Sequence, residues 1–223
     1  MWNTICKPWQ VAYEQAWEAY LNGSNICGAA ITDENGEVIS VGRNHVSEQI
    51  SIFEGKTLNP KMAHAEFDAL LKLDAAKYPN FKKYILYATA EPCPMCMGMF
   101  VMANFVKLKV ANADNYAGST HWCEDDKYIS SKKIKVEFES GLLPYILPVI
   151  WIYDTLKQQN GEFGELEEKL KPENRTVYPA CHTALSFYEK ERIDWHVTNK
   201  TPSCDVFNEI AEELINNGVA KKV

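Results

Sequence analysis

The feature that most constrains this chain is a pair of short motifs, His64-Ala65-Glu66 and Glu91-Pro92-Cys93-Pro94-Met95-Cys96. Each stands at the start of a segment with helical patterning, and the second directly follows the strand-like run Tyr84–Thr89 (YILYAT). Two Cys spaced C-x-x-C at a helix start can direct both sulfurs at one ion, and the positive helix end favours thiolate over thiol. A His from a neighbouring helix start completes three N or S donors. That is the number a catalytic zinc takes while keeping its fourth tetrahedral position for water.

Glu66 lies two residues after His64. On a helix that is too far round to ligate the same ion easily, but close enough to reach a water at the metal. A carboxylate there can take a proton and return it, which is general acid–base work by a group that is not a ligand. Alternatives stand beside this reading. A lone C-x-x-C in a chain of this kind is equally a redox pair, and a lone His on a helix is more often structural. A structural zinc wants a fourth protein ligand, typically from a second Cys pair, and none sits at suitable spacing. The combination of H-x-E with P-C-x-x-C is far more specific than its parts, and it points to hydrolysis.

Patterning supplies the scaffold. Pro8–Leu21 reads as an amphipathic helix that stops at Asn22-Gly23. Ile26–Thr32 and Glu37–Arg43 read as strands joined through Asn35-Gly36, where a tight hairpin needs positive φ. Residues 44–61 read as a loop, Met62–Leu73 as a helix, Tyr84–Thr89 as a buried strand, Pro94–Phe105 as a helix and Leu108–Ala111 as a strand. Ile134, Val136 and Phe138 alternate with charges, predicting a fifth, half-exposed strand. The order α-β-β-α-β-α-β predicts an α/β sandwich around a mixed sheet. Tyr145–Lys157 is expected to be helical, with Pro148 in its first turn. From about Asn160 the composition shifts to Glu, Lys and Asn, with helical patterns near Thr183–Arg192 and Val206–Asn216. The expected division is a domain over 1–158 and a helical extension over 159–223.

Charge bears on the partner. The formal net charge is −7 over 223 residues, and the Lys pairs 82–83, 132–133 and 221–222 lie far apart. Affinity for a phosphate backbone comes largely from clustered cations, so this balance argues against a nucleic-acid substrate. Seven Cys is an odd count without framework spacing, and Met1–Gln10 has no apolar core of a secretory signal. Both point to reduced thiols in a cytoplasmic protein. The longest apolar stretch, Gly141–Tyr153, is too short and too Pro-interrupted to span a membrane.

HAEFDAL and YATAEPCPMCMGMF resemble the cytidine deaminase superfamily of zinc deaminases, whose signature is H-x-E…P-C-x-x-C. They are most similar to the branch of guanine deaminase, yeast-type cytosine deaminase and the tRNA adenosine deaminases. The likeness runs from about Pro8 to Asp114 and more weakly to Leu143. It implies a three-layer α/β/α sandwich with a mixed five-stranded sheet, here followed by the helical extension. It implies Zn2+ held by His64, Cys93 and Cys96, Glu66 as proton shuttle, and a homodimer. It further implies substrate contacts from Asn44 (in VGRNH), from backbone at Ala65 and near Glu91, and from Asp114. Asn44 and Asp114 are also ordinary turn formers. Where relatives carry a basic residue after the second helix, Ala103-Asn104-Phe105 stands here. Gly118–Trp122 (GSTHW) could border the pocket. His45, His121 with Cys123, Cys181-His182 and His196 are expected to be incidental, and Cys6, Cys27 and Cys204 inert thiols.

Three functions follow as expectations. The first is deamination of a free nucleobase, nucleoside or related amino-heterocycle to a carbonyl with release of ammonia. The second is base editing on tRNA or single-stranded nucleic acid, which the acidic balance disfavours. The third is a non-catalytic, zinc-stabilised binding module, for which Glu66 would have no use.

Overall fold

The computed structural model describes residues 1–49, 51–53, 56–57, 59–162 and 178–219. Helix α1 (Lys7–Leu21) starts on Pro8, and its buried Trp9, Ala12, Tyr13, Ala16 and Trp17 share one face at three- and four-residue spacing. Gly23, at φ 74°, ends it, and its N–H donates to the Tyr20 carbonyl at 2.9 Å. Strands β1 (Gly28–Thr32) and β2 (Val38–Arg43) follow as an antiparallel pair. Gly36 supplies the positive φ of their turn, and Asp33 Oδ1 accepts from the N–H groups of Asn35 and Glu37 at 2.8 and 3.0 Å.

Residues 44–61 are not all loop. They contain a small antiparallel pair, β3 (Ser51–Phe53) with β4 (Lys56–Thr57), too short to show periodicity in sequence. The helix expected from Met62 also starts later. Pro60–Met62 form a 3-10 turn whose Asn59 cap accepts from Lys61 N–H, and helix α2 spans Ala65–Lys72 with His64 at its N-cap.

Strand β5 (Ile85–Ala90) pairs antiparallel with β1, and helix α3 (Pro94–Met102) carries the chain to β6 (Lys107–Asn112), parallel to β5. Helix α3 stops short of Phe105 because Asn104 turns left-handed, at φ 63°. Two short helices, α4 (Trp122–Asp125) and α5 (Lys127–Ser130), precede β7 (Lys135–Phe138), parallel to β6. The result is a mixed five-stranded sheet of order β2-β1-β5-β6-β7.

Two glycines show how the layers meet. A Cβ on Gly28 would drive into the Ala12 carbonyl and the Ala16 nitrogen of α1, so α1 lies directly on β1. A Cβ on Gly42 would drive into the backbone of α2 at Ala65 and Ala69. Gly42 pairs with Ala29, the neighbour of Gly28, and successive strand residues face opposite sides. Helices α1 and α2 therefore cover opposite faces. On the α2 side Ile31, Leu86, Met97, Phe100, Phe105 and Leu108 form an inaccessible core, each side chain contributing about 1.5–3 kcal/mol by burial.

Ile5–Phe138 form one compact unit; Met1–Thr4 and the described part of Glu139–Val223 form another. The second holds helices α6 (Leu143–Gln158), α7 (Cys181–Glu189), α8 (Arg192–Thr198) and α9 (Ser203–Asn216). Trp2 joins it, donating its N–H to Asn208 Oδ1 at 2.8 Å and meeting Phe207 edge-on at 5.2 Å. The division between compact units thus precedes α6, where composition alone suggests 158/159. Helix α6 buries ten residues, among them Ile146, Leu147, Ile150 and Tyr153, and belongs to the helical unit. Pro144 occupies its first turn and Pro148 its interior, a correction to the expected start. Residues 163–177 and 220–223 of the extension lie outside the described residues. Among those described, no helix is long and apolar enough to cross a membrane.

Candidate active site

The site is built at two helix starts. His64 is the N-cap of α2 and Cys93 the N-cap of α3, both with extended backbone and neither with a side-chain cap bond. Asp126, by contrast, caps α5 through Tyr128 and Ile129 N–H. Leaving an N-cap side chain out of capping forgoes about 1 kcal/mol. Here both side chains turn to one another instead. His64 Nδ1 lies 3.5 Å from Cys93 Sγ and 3.6 Å from Cys96 Sγ.

The three donor atoms lie within 4.8 Å of one another, and among the described residues no other group of three or more His, Cys, Asp or Glu does so. The donor set fits zinc. Bonds of about 2.0–2.1 Å to nitrogen and 2.3 Å to sulfur at tetrahedral angles imply N···S edges of about 3.6 Å. Among the described residues no fourth His, Cys, Asp or Glu joins the cluster.

Glu66 projects from the first turn of α2, 8% exposed, with Oε2 3.4 Å from Cys96 Sγ. It touches the cluster without belonging to it. Burial pushes its carboxyl above the usual carboxylate range. Hydrogen bonding between the free Cys93 and Cys96 thiol groups holds Cys93 well below the usual thiol range and pushes Cys96 above it. Contact with Cys93 raises His64.

The predicted substrate contacts behave differently from one another. Asn44 is 3% exposed, its Oδ1 accepts from Val46 N–H at 3.0 Å, and its own N–H donates to the Cys27 carbonyl. Ala65 is buried as the first residue of α2. Asp114 Oδ1 accepts from Tyr116 and Ala117 N–H at 2.9 and 3.1 Å, which is turn chemistry. The Glu91 carboxylate is held by Asp114 N–H and by Thr120.

Sequence reasoning missed three participants. Cys27 is no remote thiol: burial pushes it up to about 12, with the charges of Glu66, Asp114 and Cys93 adding to the effect. Asp68 accepts from Arg43 N–H at 3.0 Å and Lys72 Nζ at 2.6 Å, and lies 3.2 Å from His45 Nε2, tying the Asn44 segment to α2. Thr120 meets Glu91. Two of these had a signal: Asp68 is an acidic residue on the buried side of α2, and Thr120 lies in the Gly118–Trp122 stretch expected to border the pocket. His121 and Cys123 join no metal-type cluster among the described residues, and Cys6 is exposed.

A mixed sheet that gathers His, Cys and Cys at helix starts, beside a buried carboxylate, makes this an α/β protein with a candidate metal site. Residues 3–112 match the cytidine and deoxycytidylate deaminase zinc-binding region. A cytosine deaminase of Candida albicans is 26% identical over 110 residues, 49% of this chain and 67% of the relative. Over that region the chain is similar to the cytidine deaminase superfamily. Among solved structures, one from work on A-to-I editing by tRNA:A34 deaminases aligns at 22% identity and TM-score 0.48, covering 59% of this chain and 96% of its own. A guanine deaminase of Nitrosomonas europaea aligns at 19% identity and TM-score 0.44, covering 60% and 78%.

Proposed function

We propose that the chain is a zinc-dependent hydrolytic deaminase of a small amino-heterocycle, a free nucleobase or nucleoside above all. One observation carries this reading: a buried carboxylate, Glu66, stands against a cluster with three donors and, among the described residues, no fourth. Zinc held by His64, Cys93 and Cys96 supplies Lewis-acid activation of water near neutral pH. Glu66 accepts a proton as water oxygen adds to the amino-bearing ring carbon, and passes it to the adjacent ring nitrogen. It then takes the proton of the added hydroxyl and delivers it to the amino group, the C–N bond breaks, ammonia leaves and the hydroxyl oxygen remains as the carbonyl. Its burial suits that work, because a carboxyl raised above its usual range holds a proton more readily.

Asn44 positions the ring in this scheme. Its Oδ1 is fixed by Val46 N–H, which orients Nδ2 as a donor to the substrate. Backbone at Ala65 and near Glu91 contributes further bonds, and Asp114 lends its charge at the edge of the pocket. The net charge of −7 favours a small substrate over a nucleic acid. The domain over 1–158, the homodimer and the cytoplasmic location belong to the same proposal, and sedimentation at micromolar concentration tests the dimer.

The test is an ammonia-release screen over free bases, nucleosides, nucleotides, pterin-like heterocycles and an RNA hairpin, with zinc content measured alongside. Release from a free base or nucleoside, lost in Glu66→Gln at unchanged zinc content, is the expected result. Release only from the RNA hairpin would move the assignment to base editing. Zinc-loaded protein inert on every substrate would leave a binding module.

A further inference from the structure

Glu91 stands in the turn between β5 and the start of α3, two residues from Cys93. Its two oxygens carry three bonds from one segment. Asp114 N–H donates to Oε2 at 3.0 Å, Thr120 N–H to Oε1 at 3.1 Å, and the Thr120 hydroxyl to Oε1 in a very short contact. Two main-chain bonds run alongside, from Glu91 N–H to the Asn112 carbonyl at 2.8 Å and from Ser119 N–H to the Pro92 carbonyl at 3.0 Å. Gly118 completes the fit, since a Cβ there would collide with the Glu91 carboxylate and the Asp114 carbonyl. Bonds to an ionised acceptor are roughly twice as strong as neutral ones. The segment also borders the site, because the Asp114 charge acts on Cys27 together with those of Glu66 and Cys93.

We propose that Glu91 is a positioning residue whose carboxylate clamps residues 114–120 against the Cys93 turn and so sets one wall of the substrate pocket. What that pocket takes rests on the deaminase reading above; the clamp itself does not. The carboxylate is fully engaged by the segment, so any contact to substrate at this position comes from main chain.

Tyr116, fully exposed at the tip of the clamped segment, offers a reporter. Chymotrypsin cleaves after an aromatic residue only where the backbone can open locally, so cleavage at Tyr116–Ala117 reads the clamp without reference to activity. The experiment compares the full zinc-loaded chain with Glu91→Ala, Glu91→Gln and Thr120→Val, assigning the cut by mass spectrometry. Glu91→Ala is expected to keep its zinc and be cut about tenfold faster or more, Thr120→Val less so, because each loses charge-assisted bonds. With cytosine and guanine as probes, Glu91→Ala should raise KM about tenfold and change kcat by less than about threefold, with Gln recovering part of the loss.

Cleavage of Glu91→Ala at the wild-type rate would overturn the proposal, as would a fall in kcat with KM unchanged. If Glu91→Ala does not fold, Thr120→Val decides, and wild-type resistance there overturns it. If wild type turns over neither probe, the substrate reading is what suffers, while zinc content and cleavage still judge the clamp.

Discussion

Two buried ionisable residues, one in each compact unit, invite comparison. Glu66 is 8% exposed and His196 2% exposed, and burial pushes both toward their neutral forms. Their surroundings differ. His196 Nε2 lies 3.1 Å from Glu209 Oε2 without an aligned hydrogen bond, and Glu209 is itself gripped by Arg192 through two bonds of 2.7 Å. Those charges cancel among themselves and hold α8 to α9. Among the described residues Glu66 makes no ion pair with Arg or Lys; its contact is with Cys96, a donor of the metal-type cluster. Burial of an ionisable group therefore marks a site here only where its neighbours are reagents and not counter-ions.

Glu66→Gln breaks that comparison most sharply. The amide keeps shape and volume but cannot accept a proton, so ammonia release should fall about a thousandfold, within the usual range for a general acid–base group. Zinc content should not change. His196→Gln, equally buried, should leave release within about twofold, since it touches no reacting atom. Equal losses in the two variants would mean that burial alone, and not the neighbourhood, carries the assignment.

The next effect concerns what holds Glu66 in place. Gly42→Ala forces a methyl into the backbone of α2 and should cost about 1–3 kcal/mol, as overpacking does. Because α2 carries both His64 and Glu66, zinc affinity should fall with stability. Gly98→Ala, two residues past Cys96, meets nothing within 4 Å and should stabilise α3 by about 0.5–1 kcal/mol. Chemical denaturation and zinc titration of the two variants check the pair. A Gly42→Ala protein with wild-type stability would show that α2 can shift without loss.

These expectations also divide what sequence makes legible from what it hides. The spacing of His64, Glu66, Cys93 and Cys96 is local, so the four could be named and the helix starts anticipated. The five strands followed from alternation and turn residues. The Glu91–Thr120 and Asp68–Arg43 contacts join residues 25 to 29 positions apart, across loops without periodicity, and no local pattern specifies which residues pair. The surroundings of Cys27 were hidden because the charges acting on it come from the loop after β6 and from two helix starts. Composition changes near Asn160, whereas α6 already belongs to the helical compact unit, a grouping that composition does not display.

Acid should separate the two units more gently. Burial holds the folded pKa of His196 below its usual value, with Glu209 and Asp205 opposing and Arg192 assisting. Below about pH 6.5 the unfolded chain binds a proton that the folded chain refuses. Stability of the helical unit is then lost at up to about 1.4 kcal/mol per pH unit, until the folded pKa is reached. Above that pH the contribution is flat. Denaturation midpoints at pH 8, 6 and 5 should show this slope, and His196→Gln should abolish it.

Lys157→Met is the smallest expected change and the best control on the comparison. Lys157 Nζ meets Asp194 at 2.8 Å, but both side chains are nearly half exposed. Water screens the pair, and exposed pairs of this kind contribute about 0–1 kcal/mol. Tyr153 still donates to Asp194 Oδ2 at 2.8 Å once the lysine is gone, so the carboxylate keeps a partner. Denaturation should therefore register at most about 0.5 kcal/mol, and the acid slope set by His196 should be unchanged. A loss several times larger would show that rim charges, and not buried ones, govern the helical unit, and the contrast between Glu66 and His196 would then need a basis other than burial.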